Sequence, residues 1–217
     1  MIFAIYGAGG SGRTFMNLAL RRNKEEHEWS DIIYVDDIIG ISEWEGRKVY
    51  TFQQVTEKFS QTEVQFIISQ GEPSTREKLF SKIREKGYSF YTYIDKSALV
   101  CEGASIGEGC MIAPNVFIDA HVKIGNNTLV YIGAVVGHDT KLGMHSVVSV
   151  SSFIGGHCVL EEKSYVGPGA MIRDRISVGK EAVLAMGAAV YKDVPEKMVA
   201  IGNPARMMKH QEGKGLF

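Results

Sequence analysis

An aliphatic residue recurs at every sixth position over almost half of the chain. Stepping by six from Ile106 meets only isoleucine, valine or leucine at all fifteen positions: Ile106, Ile112, Ile118, Ile124, Val130, Val136, Leu142, Val148, Ile154, Leu160, Val166, Ile172, Val178, Leu184 and Val190. Neither the helical period of 3.6 nor the alternation of a simple strand gives this spacing. A triangular coil does, because each six-residue rung forms one flat side and turns its aliphatic residue inward. Residues 18 apart then stack at about 4.8 Å, the spacing of neighbouring strands.

The position two residues before each aliphatic residue is small or β-branched in almost every rung. These residues are Ala104, Cys110, Val116, Val122, Thr128, Ala134, Thr140, Ser146, Ser152, Cys158, Ser164, Ala170, Ile176, Ala182 and Ala188. Small side chains fit the tight corners of such a coil, so we interpret Cys110 and Cys158 as packing residues. Three rungs close one coil, and fifteen rungs make five coils. We therefore predict a left-handed parallel β-helix (a hexapeptide repeat) over residues 94–194.

Residues 1–93 show strands alternating with helices instead. We predict strands at residues 3–6, 32–35, 64–69 and 88–94, and helices from the end of the first loop to about residue 22, at 52–59 and at 74–86. This alternation indicates a parallel sheet, so the segment is predicted to be a small α/β Rossmann-like domain that precedes the β-helix. Ser74 is expected to cap the third helix, because Glu77 lies three residues on, as in a capping box. Residues 195–217 are predicted to form a C-terminal tail.

A glycine-rich loop joins the first predicted strand to the first helix. Residues 7–12, Gly-Ala-Gly-Gly-Ser-Gly, fit the G-x-G-x-x-G fingerprint in the strand-to-helix context that dinucleotide binding requires. Glycines let the backbone approach a pyrophosphate, and the helix N-terminus offers oriented N–H groups. Asp36 follows the second strand, where a ribose-binding acid belongs. Only about half of a dinucleotide fold is present, so we favour a nucleotide sugar as ligand; a structural loop and NAD are the alternatives.

The best candidate for chemistry within the β-helix is the pair His138-Asp139. Imidazole can accept a proton near neutral pH, and a neighbouring carboxylate can orient the ring and stabilise its charged form. The residues 18 positions before and after His138 are Ala120 and Gly156. Their small size is expected to leave room beside the imidazole for a thioester.

Asp139 has a histidine 18 residues away in each direction. His121 and His157 should therefore stack one coil before and one coil after it, which places three histidines and one acid on one side of the prism. Zinc sites of β-helix enzymes use a close pair of histidines plus one from a distant coil. No close pair accompanies these histidines, so we expect no metal and an activity that survives EDTA.

The glycine loop, the Asp36-Asp37 pair, the fifteen rungs, the His-acid pair and a closing Gly-Asn-Pro-Ala-Arg at residues 202–206 together resemble the sugar acetyltransferases of the β-helix class. These include the nucleotide-4-amino-sugar N-acetyltransferases and the sialic acid O-acetyltransferases, and the resemblance covers essentially the whole chain. It implies an acetyl-CoA-dependent enzyme that N-acetylates a nucleotide-linked 4-amino-sugar. The alternatives are O-acetylation of a sialic acid or other sugar and a non-catalytic sugar-nucleotide-binding scaffold.

The resemblance also implies roles for individual residues. His138 is expected to be the general base, and Asp139 the acid that raises its basicity. The positions expected to bind the nucleotide are Gly9, Gly10, Ser11, Asp36, Asp37 and Gly71, and those expected to bind acetyl-CoA are Gly156, Pro168 and Met186. The Gly156 N–H is also expected to stabilise the oxyanion. This chain departs from the family at Ser11 and Val147, where many members have histidine.

Composition and charge argue against several other classes of protein. The net charge of −1 gives no reason to expect a nucleic-acid partner, and no run approaches the ~20 apolar residues of a membrane span. The first residues lack the basic segment of a signal peptide. Three cysteines, an odd and sparse count, indicate a reducing cytoplasm. The flat faces of a three-sided prism can pack around a threefold axis, so we expect a homotrimer.

Overall fold

The computed structural model describes residues 1–209 of the chain, so residues 210–217 of the predicted tail lie outside the described residues. The chain divides into two compact units. Unit 1 comprises Met1–Gly71 and Lys78–Thr92, and unit 2 comprises Glu72–Glu77 and the chain from Tyr93 onward. Within residues 1–209, no helix is long and apolar enough to cross a membrane.

The first 90 residues build a six-stranded sheet with helices between its strands. Their elements are β1 (Ile2–Tyr6), α1 (Gly10–Glu26), β2 (Asp31–Val35), β3 (Glu43–Trp44), β4 (Arg47–Tyr50), α2 (Phe52–Lys58), β5 (Val64–Ile68), α3 (Pro73–Glu85) and β6 (Ser89–Phe90). The strand order is β3-β4-β2-β1-β5-β6, and every pair is parallel except β3 with β4. The central strands are rich in β-branched and aromatic residues, which favour strands and fill the core. The predicted Rossmann-like α/β fold is confirmed.

Two local predictions for this region were wrong, and one pair of strands was missed. The hairpin of β3 and β4 was missed, because half of the residues in these short strands are charged and only Val49 is buried. Ser74 does not cap α3; the helix begins at Pro73, which has no N–H to satisfy. The carboxylate of Glu72 accepts the N–H groups of Ser74 and Thr75 instead. The single strand predicted at residues 88–94 is split between β6 and the first strand of the β-helix.

Unit 2 is built from two-residue strands spaced six residues apart. They are β7 (Tyr93–Ile94), β8 (Leu99–Val100), β9 (Ser105–Ile106), β10 (Met111–Ile112), β11 (Phe117–Ile118), β12 (Lys123–Ile124), β13 (Leu129–Val130), β14 (Val135–Val136), β15 (Lys141–Leu142), β16 (Val147–Val148), β17 (Phe153–Ile154), β18 (Val159–Leu160), β19 (Tyr165–Val166), β20 (Met171–Ile172), β21 (Ser177–Val178), β22 (Val183–Leu184) and β23 (Ala189–Val190). Two longer strands, β24 (Met198–Ile201) and β25 (Arg206–Lys209), follow.

These strands form three sheets that are the three sides of the coil, and every pair is parallel except β24 with β25. The first sheet runs β7-β10-β13-β16-β19-β22 and ends with β24 and β25; the second runs β8-β11-β14-β17-β20-β23; the third runs β9-β12-β15-β18-β21. Each predicted aliphatic residue is the second residue of its strand, and together they form one continuous core. The predicted left-handed β-helix is therefore confirmed, with the register that the hexad requires.

Each rung turns through a residue in the left-handed backbone conformation, three positions before the aliphatic residue. These residues are Gly103, Gly109, Asn115, His121, Asn127, Gly133, Asp139, His145, Ser151, His157, Lys163, Gly169, Arg175, Glu181 and Gly187. We call the corner between the second and third sheets the second corner. Its left-handed positions are Gly103, His121, Asp139, His157 and Arg175, so the backbone fixes the acid and two histidines in one column.

The segment Glu72–Glu77 belongs with the β-helix because of a buried arginine. The Arg76 guanidinium donates to the carbonyl oxygen of Asn127 from Nε at 3.0 Å and from Nη2 at 2.8 Å, and to Asn127 Oδ1 at 2.7 Å. Burial lowers the pKa of Arg76 to about 10, so the group stays charged at neutral pH. Lys163 adds an ion pair with Glu77 at 2.8 Å. These contacts fix the first turn of α3 on the coil.

Candidate active site

His138 and Asp139 lie side by side at the second corner, in the turn between β14 and β15. Nδ1 of His138 is 2.9 Å from Oδ2 of Asp139. This hydrogen bond raises the pKa of His138, and the negative charges of Asp139, Asp119 and Asp174 act in the same direction. The same bond lowers the pKa of Asp139. The carboxylate thus favours the charged form of the imidazole, and its bond to Nδ1 leaves Nε2 as the ring nitrogen available to another partner.

The His138 ring lies directly against Gly156 of the next coil. A Cβ atom built at Gly156 would be only 2.7 Å from Nε2 of His138. The small residue predicted to make room for a thioester therefore makes room for the imidazole itself. The backbones are tied as well, because the N–H of His157 donates to the carbonyl oxygen of His138 at 2.8 Å.

The two neighbouring histidines of the second corner are placed differently. His157 packs edge-on against His138 with ring centroids 4.9 Å apart, and its Nε2 is 3.8 Å from Oδ2 of Asp139. His121 lies against Gly103 of the preceding coil, where an added Cβ would be 2.4 Å from its Nδ1. The stacking of three histidines around one acid is as the 18-residue period predicts. His138, Asp139 and His157 each have one possible metal-ligand atom, and these three atoms lie within 4.8 Å of one another. The spacing of histidines in the sequence did not reveal this cluster.

The Gly156 N–H does not point to open space. It donates to Oδ1 of Asp174 at 2.9 Å, so the expected oxyanion donor is already engaged by a carboxylate. Asp174 lies one coil after Gly156. A similar contact occurs elsewhere in the β-helix, where the side chain of Asn126 accepts the N–H of Glu108 from the preceding coil. Counting 18 residues on from Gly156 would have identified this partner in the sequence.

The glycine loop of unit 1 leaves the N-terminus of α1 open. Gly9 occupies the N-cap position with no side chain to accept the first N–H groups of the helix. A Cβ at Gly9, Gly10 or Gly71 would meet nothing within 4 Å, whereas one at Gly12 would be 1.9 Å from the carbonyl oxygen of Gly7. Gly12 is therefore required for packing of strand against helix, and the first glycines leave space for an anion at the helix N-terminus.

Asp36 and Asp37 both hold the backbone of unit 1. Asp36 Oδ2 accepts the N–H of Ala8 in the glycine loop at 2.9 Å, and its Oδ1 accepts the N–H groups of Ile38 and Ile39. Asp37 Oδ1 accepts the N–H of Phe52 at 2.8 Å. A loss of Asp36 would therefore disturb the glycine loop as well as any contact with a ribose.

Asp37 is also the centre of a cluster that the sequence did not indicate. Its Oδ2 accepts hydrogen bonds from the Lys82 ammonium at 2.6 Å and from the Tyr6 hydroxyl at 2.5 Å. Burial acts to raise the pKa of Asp37, but these bonds outweigh it and hold the pKa below its usual value. Lys82 and Tyr6 lie far from Asp37 in the chain, so only the folded sheet brings the three together.

The three positions expected to bind acetyl-CoA do not meet within one chain. Gly156 lies at the second corner, whereas Pro168 and Met186 lie one coil apart at the corner between the first and second sheets. The N–H of Gly187 donates to the carbonyl oxygen of Pro168, which ties those two coils together. Met186 is 78% exposed. The width of the second sheet therefore separates Gly156 from the other two.

Comparisons with known proteins match both parts of the chain. Residues 3–83 match the family described as the PglD N-terminal domain, and residues 92–200, half of the chain, match the family described as the GMPPB C-terminal domain. WeeI from Acinetobacter baumannii AYE is 26% identical with a TM-score of 0.90, over 96% of this chain and 100% of that chain.

Two further solved structures carry bound ligands. PerB from Caulobacter crescentus, in complex with CoA and GDP-perosamine, is 26% identical with a TM-score of 0.86, over 96% of this chain and 97% of that chain. The acetyltransferase domain of PglB from Neisseria gonorrhoeae FA1090, in complex with acetyl coenzyme A, has a TM-score of 0.88 at 24% identity and supports the fold, over 95% of this chain and 98% of that chain. The chain is a member of the hexapeptide-repeat sugar acetyltransferases, acetyl-CoA-dependent enzymes in which a PglD N-terminal domain precedes a β-helix of the GMPPB C-terminal domain family.

Proposed function

We propose that the enzyme transfers an acetyl group from acetyl-CoA to the amino group of a nucleotide-linked 4-amino-sugar. The observation that carries this proposal is the exposed His138 hydrogen-bonded to Asp139, in a chain that also has an open helix N-terminus in its PglD-type domain. PerB, of similar sequence and fold, was solved with CoA and an amino-sugar nucleotide. Gly9, Gly10, Ser11, Asp36, Asp37 and Gly71 are proposed to hold the nucleotide.

The proposed reaction is a direct acyl transfer. The sugar amine attacks the carbonyl carbon of the thioester while Nε2 of His138 accepts a proton from the attacking nitrogen. Asp139 stabilises the resulting imidazolium. The tetrahedral intermediate then expels the CoA thiolate, which takes the proton from His138 and leaves free CoA and an N-acetylated sugar. Each cycle returns the histidine to its neutral state.

An assay with different acceptors tests this function. We expect CoA thiol release from acetyl-CoA with nucleotide-linked 4-amino-sugars and none with sialic acid or with the free amino-sugar. Turnover on free sialic acid would instead support the O-acetyltransferase alternative. Absence of thiol release with every acceptor, in a protein that still binds the nucleotide sugar, would support the non-catalytic scaffold.

We also propose that the enzyme is a homotrimer that packs through the outer face of its second sheet. The outward side chains of that sheet are all apolar: Leu99, Phe117, Val135, Phe153, Met171 and Ala189. Phe153 is 45% exposed and Met171 is 49% exposed. The corresponding side chains of the first sheet are buried in the single chain, and those of the third sheet include Lys123 and Lys141. Among the three sheet faces described within residues 1–209, the second is thus the one whose apolar row is exposed or half-exposed from Leu99 to Met171, while Ala189 at its end is buried.

A threefold arrangement would also explain the separated acetyl-CoA positions. Gly156 lies at one edge of the second sheet, and Pro168 and Met186 lie at the other. Rotation about a closed threefold axis can place one edge of this face beside the opposite edge of the next copy. We therefore propose that acetyl-CoA binds in the cleft between neighbouring chains, with Gly156 from one chain and Pro168 and Met186 from the other.

Replacing Phe153 with aspartate should break the trimer and abolish acetyl-CoA binding, because it would bury an unpaired charge at the interface. Light scattering should then give the mass of a monomer. Val159→Asp is the matched control, since Val159 is 39% exposed at the same strand position of the third sheet. That variant should remain trimeric and active. A wild-type protein that is monomeric and fully active would contradict the proposal.

We propose a cytoplasmic location as well. Cys101, Cys110 and Cys158 are all free thiols, and the last two are buried in the coil. Reduced cysteines are typical of a compartment in which glutathione and thioredoxin keep thiols reduced.

A further inference from the structure

Three side chains of the second corner present ligand atoms to one point. Nδ1 of His138 and Oδ2 of Asp139 are 2.9 Å apart, and Oδ2 and Nε2 of His157 are 3.8 Å apart. Each of the three residues offers one ligand atom that lies within 4.8 Å of the ligand atoms of the other two. Tetrahedral zinc with bonds of 2.0–2.2 Å requires ligand atoms separated by about 3.3 Å. The observed separations of 2.9 Å and 3.8 Å lie on either side of that value. Small side-chain rotations would therefore bring the ligand atoms to tetrahedral spacing.

The surroundings of this trio favour a cation. Asp119, from the preceding coil, and Asp174, from two coils further on, add their negative charges to that of Asp139 at the His138 ring. The side chains of His138, Asp139 and His157 are 52%, 43% and 41% exposed, so an ion can reach them from solvent. The left-handed backbone at Asp139 and His157, and the bond from the His157 N–H to the His138 carbonyl, hold the ligands in place.

We propose that His138, Asp139 and His157 form an inhibitory binding site for Zn²⁺. Two imidazoles and one carboxylate are a ligand set that zinc commonly takes, with the fourth position open to water. The proposed ion is a regulator of the enzyme and takes no part in acyl transfer, so the expectation that activity survives EDTA is kept.

The ion would inhibit acetyl transfer because of the ring nitrogen of His138 that it occupies. This step rests on the proposed function, in which His138 is the base. Zinc at Nδ1 of His138 displaces the proton that this nitrogen shares with Asp139. The neutral ring then carries its proton on Nε2 and has no lone pair there to accept a proton from the sugar amine. The occupied site would also neutralise the carboxylate that stabilises the charged base.

The site is tested by titrating Zn²⁺ into the chelator-treated trimeric enzyme. Calorimetry should give one binding event per chain, and Co²⁺ in its place should give the visible absorption of a tetrahedral complex. His157→Asn should weaken binding by at least ~10–100-fold, the cost of losing a group that only hydrogen-bonds to a metal ligand. Asparagine also tolerates the left-handed backbone at this position.

His121→Asn is the matched control. His121 has the same backbone conformation one coil on the other side of Asp139, but its ring lies against Gly103. This variant should bind zinc like the wild type. In the acetyltransferase assay, zinc should inhibit the wild type and His121→Asn alike, His157→Asn should need at least tenfold more zinc, and EDTA should restore activity.

Zinc affinity that is unchanged in His157→Asn would overturn the proposed site, whatever the activity assay shows. Binding that depends on His157, in a protein with no turnover on any acceptor, would support the site and count against the proposed function instead. The binding and activity measurements therefore separate the two proposals.

Discussion

Replacing His138 with alanine should lower kcat by ~10²–10⁴-fold, the usual contribution of a general base, and leave the affinity for acetyl-CoA nearly unchanged. Within the described residues, His138 is the histidine that both hydrogen-bonds an acid and lies against a glycine of the next coil. Its ring is half exposed, so removing it leaves no unpaired buried group and should not unfold the coil. The measurement is thiol release for kcat and calorimetry for acetyl-CoA.

His121→Asn serves as the comparison for this variant as well. It removes an imidazole from the same corner but leaves the hydrogen bond between His138 and Asp139 intact. We expect kcat within about twofold of the wild type, because substitutions away from the reacting groups have small effects. Near-native turnover in His138→Ala would remove this residue from the mechanism, and the proposed acyl transfer would then need another base.

The sequence predicts the β-helix and the stacking of residues at its second corner well, because a coil leaves little freedom. Once three hexads make a coil, every residue has fixed neighbours 18 positions away, so the placement of His121 and His157 around Asp139 follows by counting. The counting says nothing about side-chain rotation. It could not show that the His138 ring occupies the space over Gly156.

Unit 1 is less predictable because its contacts connect residues far apart in sequence. The G-x-G-x-x-G pattern identifies the loop, but Asp37 meets Tyr6 and Lys82 only after β1, β2 and α3 have packed together. The short β3–β4 hairpin likewise has no hydrophobic pattern of its own and is held by pairing with β2. The sequence therefore identifies where a nucleotide could bind but not which carboxylate is left to contact it.

Replacing Gly10 with phenylalanine should raise KM for the sugar nucleotide by ~10–100-fold and leave KM for acetyl-CoA nearly unchanged. Gly10 is the first residue of α1, and a Cβ there meets nothing within 4 Å, so the protein can hold the larger side chain. The ring would fill the space in which a diphosphate approaches the helix N-terminus. Hydrogen bonds to a charged group contribute about 1.5–3 kcal/mol each, so losing one is enough for this effect.

Asn17→Phe is the control for this prediction, because residue 17 lies on the same side of α1 two turns away, about 10 Å from Gly10. It should leave both KM values unchanged. Asp36→Ala is a less selective probe, because Asp36 also holds the N–H of Ala8 in the loop. Steady-state kinetics with both substrates decides the question. An unchanged acceptor KM in Gly10→Phe would rule out nucleotide recognition by this loop and would favour a free sugar, such as a sialic acid, as the acceptor.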